Sequence, residues 1–84
     1  MKKITMYTGP FCNYCEAAKR LFVRNNAPFN EIDISKVEGA MDEMIKKANG
    51  RRTIPQIFFN DEHIGGYQEL RDLEKNGQLE ASLK

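Results

Sequence analysis

The fold is decided by residues 3–15, which read Lys-Ile-Thr-Met-Tyr-Thr-Gly-Pro-Phe-Cys-Asn-Tyr-Cys. Polar and apolar residues alternate over positions 3–7, which is typical of a β-strand, and the Thr-Gly-Pro at 8–10 predicts the turn that ends it. Residues 13 to about 25 favour an amphipathic helix. Both cysteines of the chain therefore lie where a strand gives way to a helix.

A second helix is predicted from a cap and an apolar stripe. Ser35 and Glu38 stand at the spacing of a capping box, after a short second strand at residues 29–34. The stripe that would face the core consists of Val37, Met41, Met44, Ile45 and Ala48. We therefore expect a helix that begins after Ser35 and ends at Asn49-Gly50.

The last third of the chain predicts a hairpin followed by a helix. Residues 56–59 and 62–64 are typical of strands joined by an Asn60-Asp61 turn, and a helical stretch follows Gly65-Gly66. The order β-α-β-α-β-β-α implies an α/β fold, with a mixed four-stranded sheet covered by helices on both faces. Leu79 and Leu83 are expected to pack a short C-terminal tail.

Length and charge limit the classes of protein to which this chain can belong. The chain has 84 residues, enough for one domain spanning 1–84. Its net charge of +1 provides no excess field to hold a polyanion, which disfavours nucleic acid as a partner. The longest apolar run, Ile57-Phe58-Phe59, is too short to cross a membrane. We expect a soluble, cytoplasmic monomer.

The chemistry is expected at Cys12 and Cys15. Cysteines three apart at a helix start can come within disulfide range, and the unpaired N–H groups and dipole of the helix stabilise a thiolate there. Cys12 is then the expected nucleophile and Cys15 the resolving thiol. Two alternatives stay open: both cysteines could be small buried hydrophobes, or half of a zinc site. Zinc needs two more ligands and the chain offers only His63, so we expect no metal.

Three motifs carry a resemblance to a known family. They are Tyr7-Thr8 ahead of Cys12-Asn13-Tyr14-Cys15, the segment Gly50-Arg51-Arg52-Thr53-Ile54-Pro55-Gln56-Ile57-Phe58, and His63-Ile64-Gly65-Gly66. Together they make the chain similar to the bacterial dithiol glutaredoxins. The resemblance implies the thioredoxin fold, glutathione as a co-substrate without any permanently bound cofactor, and reduction of protein disulfides and protein–glutathione mixed disulfides.

The resemblance also implies a glutathione site. Its residues are Tyr14, Arg51, Thr53, Ile54, Pro55, Gly66, Tyr67 and Gln68. It implies a cis Ile54–Pro55 bond, with the Ile54 backbone pairing with the cysteinyl part of glutathione, whereas sequence alone predicts a trans bond at the start of a strand.

The roles of the remaining residues follow the same resemblance. The γ-glutamyl carboxylate would meet Gly66, Tyr67 and Gln68, and the glycyl carboxylate would meet Arg51. Thr53 would line the groove, and Tyr14 would flank the sulfur. Taken alone, the glycine pair could equally be an ordinary tight turn and Tyr14 a surface residue.

Three positions depart from the family pattern. Many members have lysine where Gly9 stands, proline where Asn13 stands and aspartate where Gln68 stands, the last being followed here by Glu69. The missing proline motivates one alternative function, a dimer that carries a [2Fe-2S] cluster. A second alternative is a thioredoxin-like electron donor, served by a reductase and passing electrons to ribonucleotide reductase.

Overall fold

Eight secondary-structure elements make up the computed structural model, which describes residues 1–84. The strands are β1 (Ile4–Thr8), β2 (Asn30–Asp33), β3 (Gln56–Phe59) and β4 (Glu62–Gly65). The helices are α1 (Asn13–Arg24), α2 (Ala40–Lys47), α3 (Tyr67–Lys75) and α4 (Leu79–Leu83). The predicted order is confirmed, and the expected tail is the short helix α4.

The sheet is mixed and has the strand order β2-β1-β3-β4. β1 and β2 are parallel, so the chain must return to the same end of the sheet between them, which it does through α1. β3 pairs antiparallel with both β1 and β4. All four residues of β3 are buried, as expected for a central strand covered on both faces.

Each face of the sheet has its own apolar cluster. The larger cluster joins the sheet to α1, α3 and α4, and consists of Ile4, Met6, Ala18, Leu21, Phe22, Ala27, Ile57, Phe59, Leu70, Leu79 and Leu83. The smaller cluster joins the opposite face to α2 and consists of Tyr7, Met44, Ala48 and Phe58. Successive side chains of a strand point to opposite faces, which explains why Met6 and Tyr7 belong to different clusters.

The predicted start of α2 is wrong. α2 begins at Ala40 with Gly39 as its N-cap, in a left-handed conformation with φ 78°. Ser35 instead donates its backbone N–H and its hydroxyl to Asp33 Oδ1, at 2.8 and 2.6 Å. The carboxylate at the end of β2 thus holds Ser35 in a local turn, which competes with helix capping.

The predicted apolar stripe of α2 is consequently only half correct. Met44 and Ala48 are buried and Ile45 packs against them, as expected. Val37 lies outside the helix and is 50% exposed, and Met41 is 42% exposed.

None of the helices has the length and apolar character that crossing a bilayer requires.

Candidate active site

Cys12 lies where the loop after β1 enters α1. It is the N-cap of α1, with an extended backbone of φ −114° and ψ 101°, and its side chain is partly exposed. Cys15 lies one turn into the helix and is fully buried. The two residues form a disulfide, with Cα atoms 5.2 Å apart. Cys12 is therefore the sulfur that an incoming group can reach.

The first turn of α1 surrounds the Cys12 sulfur with positive potential. The backbone N–H of Cys15 donates to Cys12 Sγ at 3.1 Å. A thiolate accepts such a bond more strongly than a neutral sulfur, and the positive end of the helix dipole acts in the same direction. Once the disulfide is reduced, the helix N-terminus favours the thiolate at Cys12.

Phe11, the residue before Cys12, presents apolar surface to solvent. Its side chain is fully exposed, and its backbone is left-handed with φ 55°, which is uncommon for a bulky residue. Sequence reasoning gave this residue no role, because neither pattern nor spacing signals that a Phe before a helix N-cap stays unburied.

The loop before β3 approaches the disulfide from the other side. The Ile54–Pro55 peptide bond is cis, as the resemblance implied and contrary to the expectation from sequence alone. The carbonyl oxygen of Ile54 lies 3.7 Å from Cys12 Sγ. The backbone N–H of Ile54 has no acceptor within the chain, so this loop offers one unpaired donor.

A groove of roughly 330 Å³ runs between this loop and the start of α3. Its walls contain all eight residues that the resemblance implied for glutathione, together with Glu69: Tyr14, Arg51, Thr53, Ile54, Pro55, Gly66, Tyr67, Gln68 and Glu69. The rings of Tyr14 and Tyr67 stack with centroids 5.7 Å apart, which joins α1 to α3 along one wall.

A larger cavity of about 750 Å³ lies near α2 and the sheet face that α2 covers. It is lined by Lys3, Thr5, Tyr7, Lys47, Phe58, Asn60 and Asp61, none of which the sequence analysis singled out as a site residue. Since it holds no cysteine and none of the predicted groove residues, we place the chemistry at the smaller groove.

Buried hydrogen bonds hold the loop that carries Thr53. The side chain of Gln56 is fully buried and donates through Nε2 to the Thr53 carbonyl at 2.9 Å and to the Thr53 hydroxyl at 3.2 Å. Its Oε1 lies 2.7 Å from His63 Nε2, which must then be the protonated nitrogen. Burial, and next the positive charge of Arg51, lower the pKa of His63, so this neutral tautomer is favoured. Gln56 is a positioning residue that sequence reasoning missed, and a lone glutamine at the start of an apolar strand was the available signal.

Arg51 and Gly66 share one internal acceptor. Glu69 Oε1 accepts a hydrogen bond from the Gly66 backbone N–H and another from Arg51 Nη1, both at 2.7 Å. The bond from Arg51, and then the one from Gly66, hold the pKa of Glu69 below its usual value. Sequence reasoning noted Glu69 only as the neighbour of Gln68, although its spacing from Gly66 is that of a capping box.

The packing around Gly9 bears on one departure from the family pattern, the glycine that stands where many members have lysine. A Cβ at this position would come within 2.7 Å of Ile54 Cδ1, so the Ile54 side chain occupies the space that a residue with a side chain would need. Any lysine at position 9 would therefore require the end of Ile54 to move.

The sheet, the helix-capping Cys12 with its buried partner, and the cis-proline loop beside the sulfur together define a thioredoxin-fold protein with a redox-active dithiol. A family model described as Glutaredoxin matches residues 4–64. The chain belongs to the glutaredoxin family, whose members are thiol–disulfide oxidoreductases.

Similar proteins extend over the whole chain. A glutaredoxin of Neisseria meningitidis serogroup A is 39% identical over 85 residues, covering 99% of this chain and 98% of the relative. The solution structure of glutaredoxin from Brucella melitensis is 44% identical, with a TM-score of 0.85, and covers 100% of this chain and 90% of that one. A buckwheat glutaredoxin–glutathione complex is 25% identical, with a TM-score of 0.86, and covers 98% of this chain and 76% of that one.

Proposed function

We propose that this protein is a glutathione-dependent oxidoreductase that reduces protein disulfides and protein–glutathione mixed disulfides. The observation that carries the proposal is the groove beside Cys12, because it gathers all eight residues implied for glutathione from three separate parts of the chain. Its volume of roughly 330 Å³ is within the range of small-molecule sites. The solved complex of the buckwheat relative with glutathione supports the same ligand here.

Glutathione would lie along the groove with its sulfur at Cys12. The unpaired Ile54 backbone suits the peptide-like cysteinyl part of the ligand, and Arg51 suits the glycyl carboxylate. The γ-glutamyl carboxylate would meet the first N–H groups of α3, at Tyr67 and Gln68, since such groups have no intrahelical acceptor. Thr53 and Tyr14 would complete the walls.

Reduction of a glutathionylated protein needs only Cys12 and glutathione. The Cys12 thiolate attacks the glutathionyl sulfur, a Cys12–glutathione disulfide forms, and the protein leaves as its thiolate. A glutathione thiolate then attacks this mixed disulfide, which releases oxidised glutathione and restores the Cys12 thiolate.

Reduction of a protein disulfide uses both cysteines. Cys12 attacks one substrate sulfur, and Cys15 then attacks Cys12 Sγ, which releases the reduced substrate and leaves the Cys12–Cys15 disulfide seen in the structure. Two glutathione molecules return the pair to the dithiol. The exposed ring of Phe11 provides apolar surface for the protein that is attacked. We place this cycle in the cytoplasm, where thiols are kept reduced.

One coupled assay tests the source of electrons. A glutathionylated peptide is supplied with NADPH and either glutathione with glutathione reductase or thioredoxin reductase alone. We expect turnover only with glutathione, and none in the matched Cys12→Ser protein. Turnover driven by thioredoxin reductase and absent with glutathione would instead indicate the thioredoxin-like donor.

The cluster-carrying alternative is tested separately. Anaerobic reconstitution with iron, sulfide and glutathione should leave the protein colourless and monomeric if the proposed reductase is its function. A coloured dimer would indicate a cluster carrier.

A further inference from the structure

The groove contains an internal carboxylate at the place proposed for the ligand's own carboxylates. Glu69 Oε1 is bonded to Arg51 Nη1 and to the Gly66 N–H, both at 2.7 Å. Arg51 is the proposed partner of the glycyl carboxylate, and Gly66 opens the helix N-terminus that would take the γ-glutamyl carboxylate. One oxygen of the protein therefore occupies Arg51 together with the N–H that precedes the first turn of α3.

The surrounding backbone leaves room for this carboxylate. Gly65 has φ 124°, and a Cβ at Gly65 would overlap the Glu69 carboxyl group. A Cβ at Gly66 would make ordinary contacts, 3.4 Å from the Pro55 carbonyl oxygen and 3.5 Å from Arg51 Nη2. Gly65 is therefore the residue whose missing side chain leaves room for the Glu69 carboxylate.

The charges in the groove cancel. Arg51 and Glu69 are the only charged residues among the nine that line it. Glutathione has two carboxylates and one ammonium group, and is therefore a net anion at neutral pH. A groove without Glu69 would attract that anion through Arg51, whereas the groove as it stands attracts it less.

We infer that Glu69 lowers the affinity of the groove for glutathione by occupying Arg51 and the Gly66 N–H. The inference rests on the proposed function. When glutathione binds, its carboxylate replaces that of Glu69 at Arg51. The side chains of Arg51 and Glu69 are 45% and 42% exposed. Because exposed ion pairs contribute little free energy, Arg51 can exchange the Glu69 carboxylate for that of the ligand at low cost.

The test is the binding of S-methylglutathione, which cannot react, to Glu69→Gln. A glutamine can still accept the Gly66 N–H, so the helix cap is kept and the negative charge is removed. We expect Kd to fall about three- to fivefold, the scale of an exposed ion pair, and KM for a glutathionylated peptide to fall with it more than kcat changes. The gain should shrink at high salt.

The control is Glu80→Gln, which makes the same change in net charge. Glu80 is exposed, and lies with Met1 and Leu83 around a cavity that shares no residue with the groove. Its Kd for S-methylglutathione should equal that of the unmodified protein.

Arg51→Gln, made alone and together with Glu69→Gln, tests whether Glu69 acts on glutathione binding through Arg51. Arg51→Gln should weaken binding more when Glu69 is absent, because Arg51 is then free for the ligand. Equal losses in the two backgrounds would overturn the inference. Weaker binding by Glu69→Gln would also overturn it, and would assign Glu69 to the ligand's ammonium group. If the unmodified protein turned over no substrate with glutathione, that result would contradict the proposed function, and the inference would fall with it.

Discussion

The two cysteines have the same side chain but different surroundings. Cys12 caps α1, accepts the Cys15 N–H and lies 3.7 Å from the Ile54 carbonyl, whereas Cys15 is fully buried within the helix. A buried thiol can react only with a disulfide already formed at the neighbouring cysteine, whereas an exposed thiol can react with a second molecule. This difference in exposure supports the proposed roles, in which Cys12 attacks and Cys15 resolves.

Serine variants should separate these roles in kinetics. Cys12→Ser should lose glutathione-dependent turnover of every substrate, because the remaining thiol, Cys15, is fully buried. Cys15→Ser should keep most turnover of a glutathionylated peptide and lose most turnover of a protein disulfide, since only the second reaction needs the resolving thiol. Initial rates in the coupled assay measure both. Retained activity in Cys12→Ser would contradict the assignment of the nucleophile.

The sequence predicted which residues belong to the site, but it did not predict which of them form hydrogen bonds with each other. The spacing of Cys12 and Cys15 predicted which sulfur is exposed, and the motifs predicted residues that do line one groove. No pattern could show that Arg51 bonds Glu69, because this contact depends on how the loop before β3 packs against α3. The bond from Gln56 back to Thr53 spans only three residues, but it depends on the irregular backbone of the loop between them, which periodicity does not predict.

Among the elements, α2 was predicted least well. A capping-box spacing and an apolar stripe agreed on a start near Ser35, yet the helix begins at Ala40. Local competition decides such a case: Asp33 bonds Ser35 at 2.6 and 2.8 Å, and this short-range turn is an alternative that a periodicity argument does not include.

The C-terminus of α1 is joined to α3 by an ion pair that sequence analysis did not anticipate. Arg24 donates to both carboxylate oxygens of Glu74, at 2.7 and 2.9 Å, and Asn25 Nδ2 donates to Oε2 at 2.7 Å. These groups, Arg24 first, lower the pKa of Glu74 from 4.5 to about 2. The carboxylate thus links the two helices whose opposite ends carry Tyr14 and Tyr67.

Glu74→Gln should reveal this link in the pH dependence of stability. Because the pKa of Glu74 is depressed in the folded state, its contribution is complete above about pH 4.5 and is lost as pH falls towards 2. We expect a loss of about 1 kcal/mol near pH 7, a modest value because Arg24 is half exposed. Urea unfolding of the oxidised proteins across this range measures it. A difference between the two proteins that persists unchanged at pH 2 would contradict the account.

For the whole molecule, the topology brings the site together. The start of α1, the loop before β3 and the start of α3 converge on one groove, although the groove residues are spread along the chain from Tyr14 to Glu69. The mixed sheet followed from the order of elements and the short hairpin turn. The cis Ile54–Pro55 bond did not follow from residues alone, because the free-energy difference between isomers is small and tertiary contacts decide it.

The short helix α4 matters to the stability of the whole fold. Leu79 and Leu83 are both 5% exposed within the larger cluster, and the Leu83 carbonyl accepts the Lys2 N–H at 2.6 Å, which joins the two ends of the chain. The C-terminal residues are therefore part of the core.

Leu83→Ala should cost about 2–4 kcal/mol in the free energy of unfolding, because it removes a buried side chain from a thin core. Val23→Ala is the matched control, since Val23 is 69% exposed, and should change stability by less than about 0.5 kcal/mol. Chemical denaturation measures both. Equal effects from the two substitutions would show that α4 does not pack as described.

The central claim is that Cys12 exchanges disulfides with glutathione held in the adjacent groove. The most direct measurement is mass spectrometry of reduced Cys15→Ser protein incubated with oxidised glutathione, followed by digestion to locate any adduct. The account predicts one glutathione per chain, attached to Cys12 and removed by added glutathione. A Cys12 that remains unmodified would contradict it.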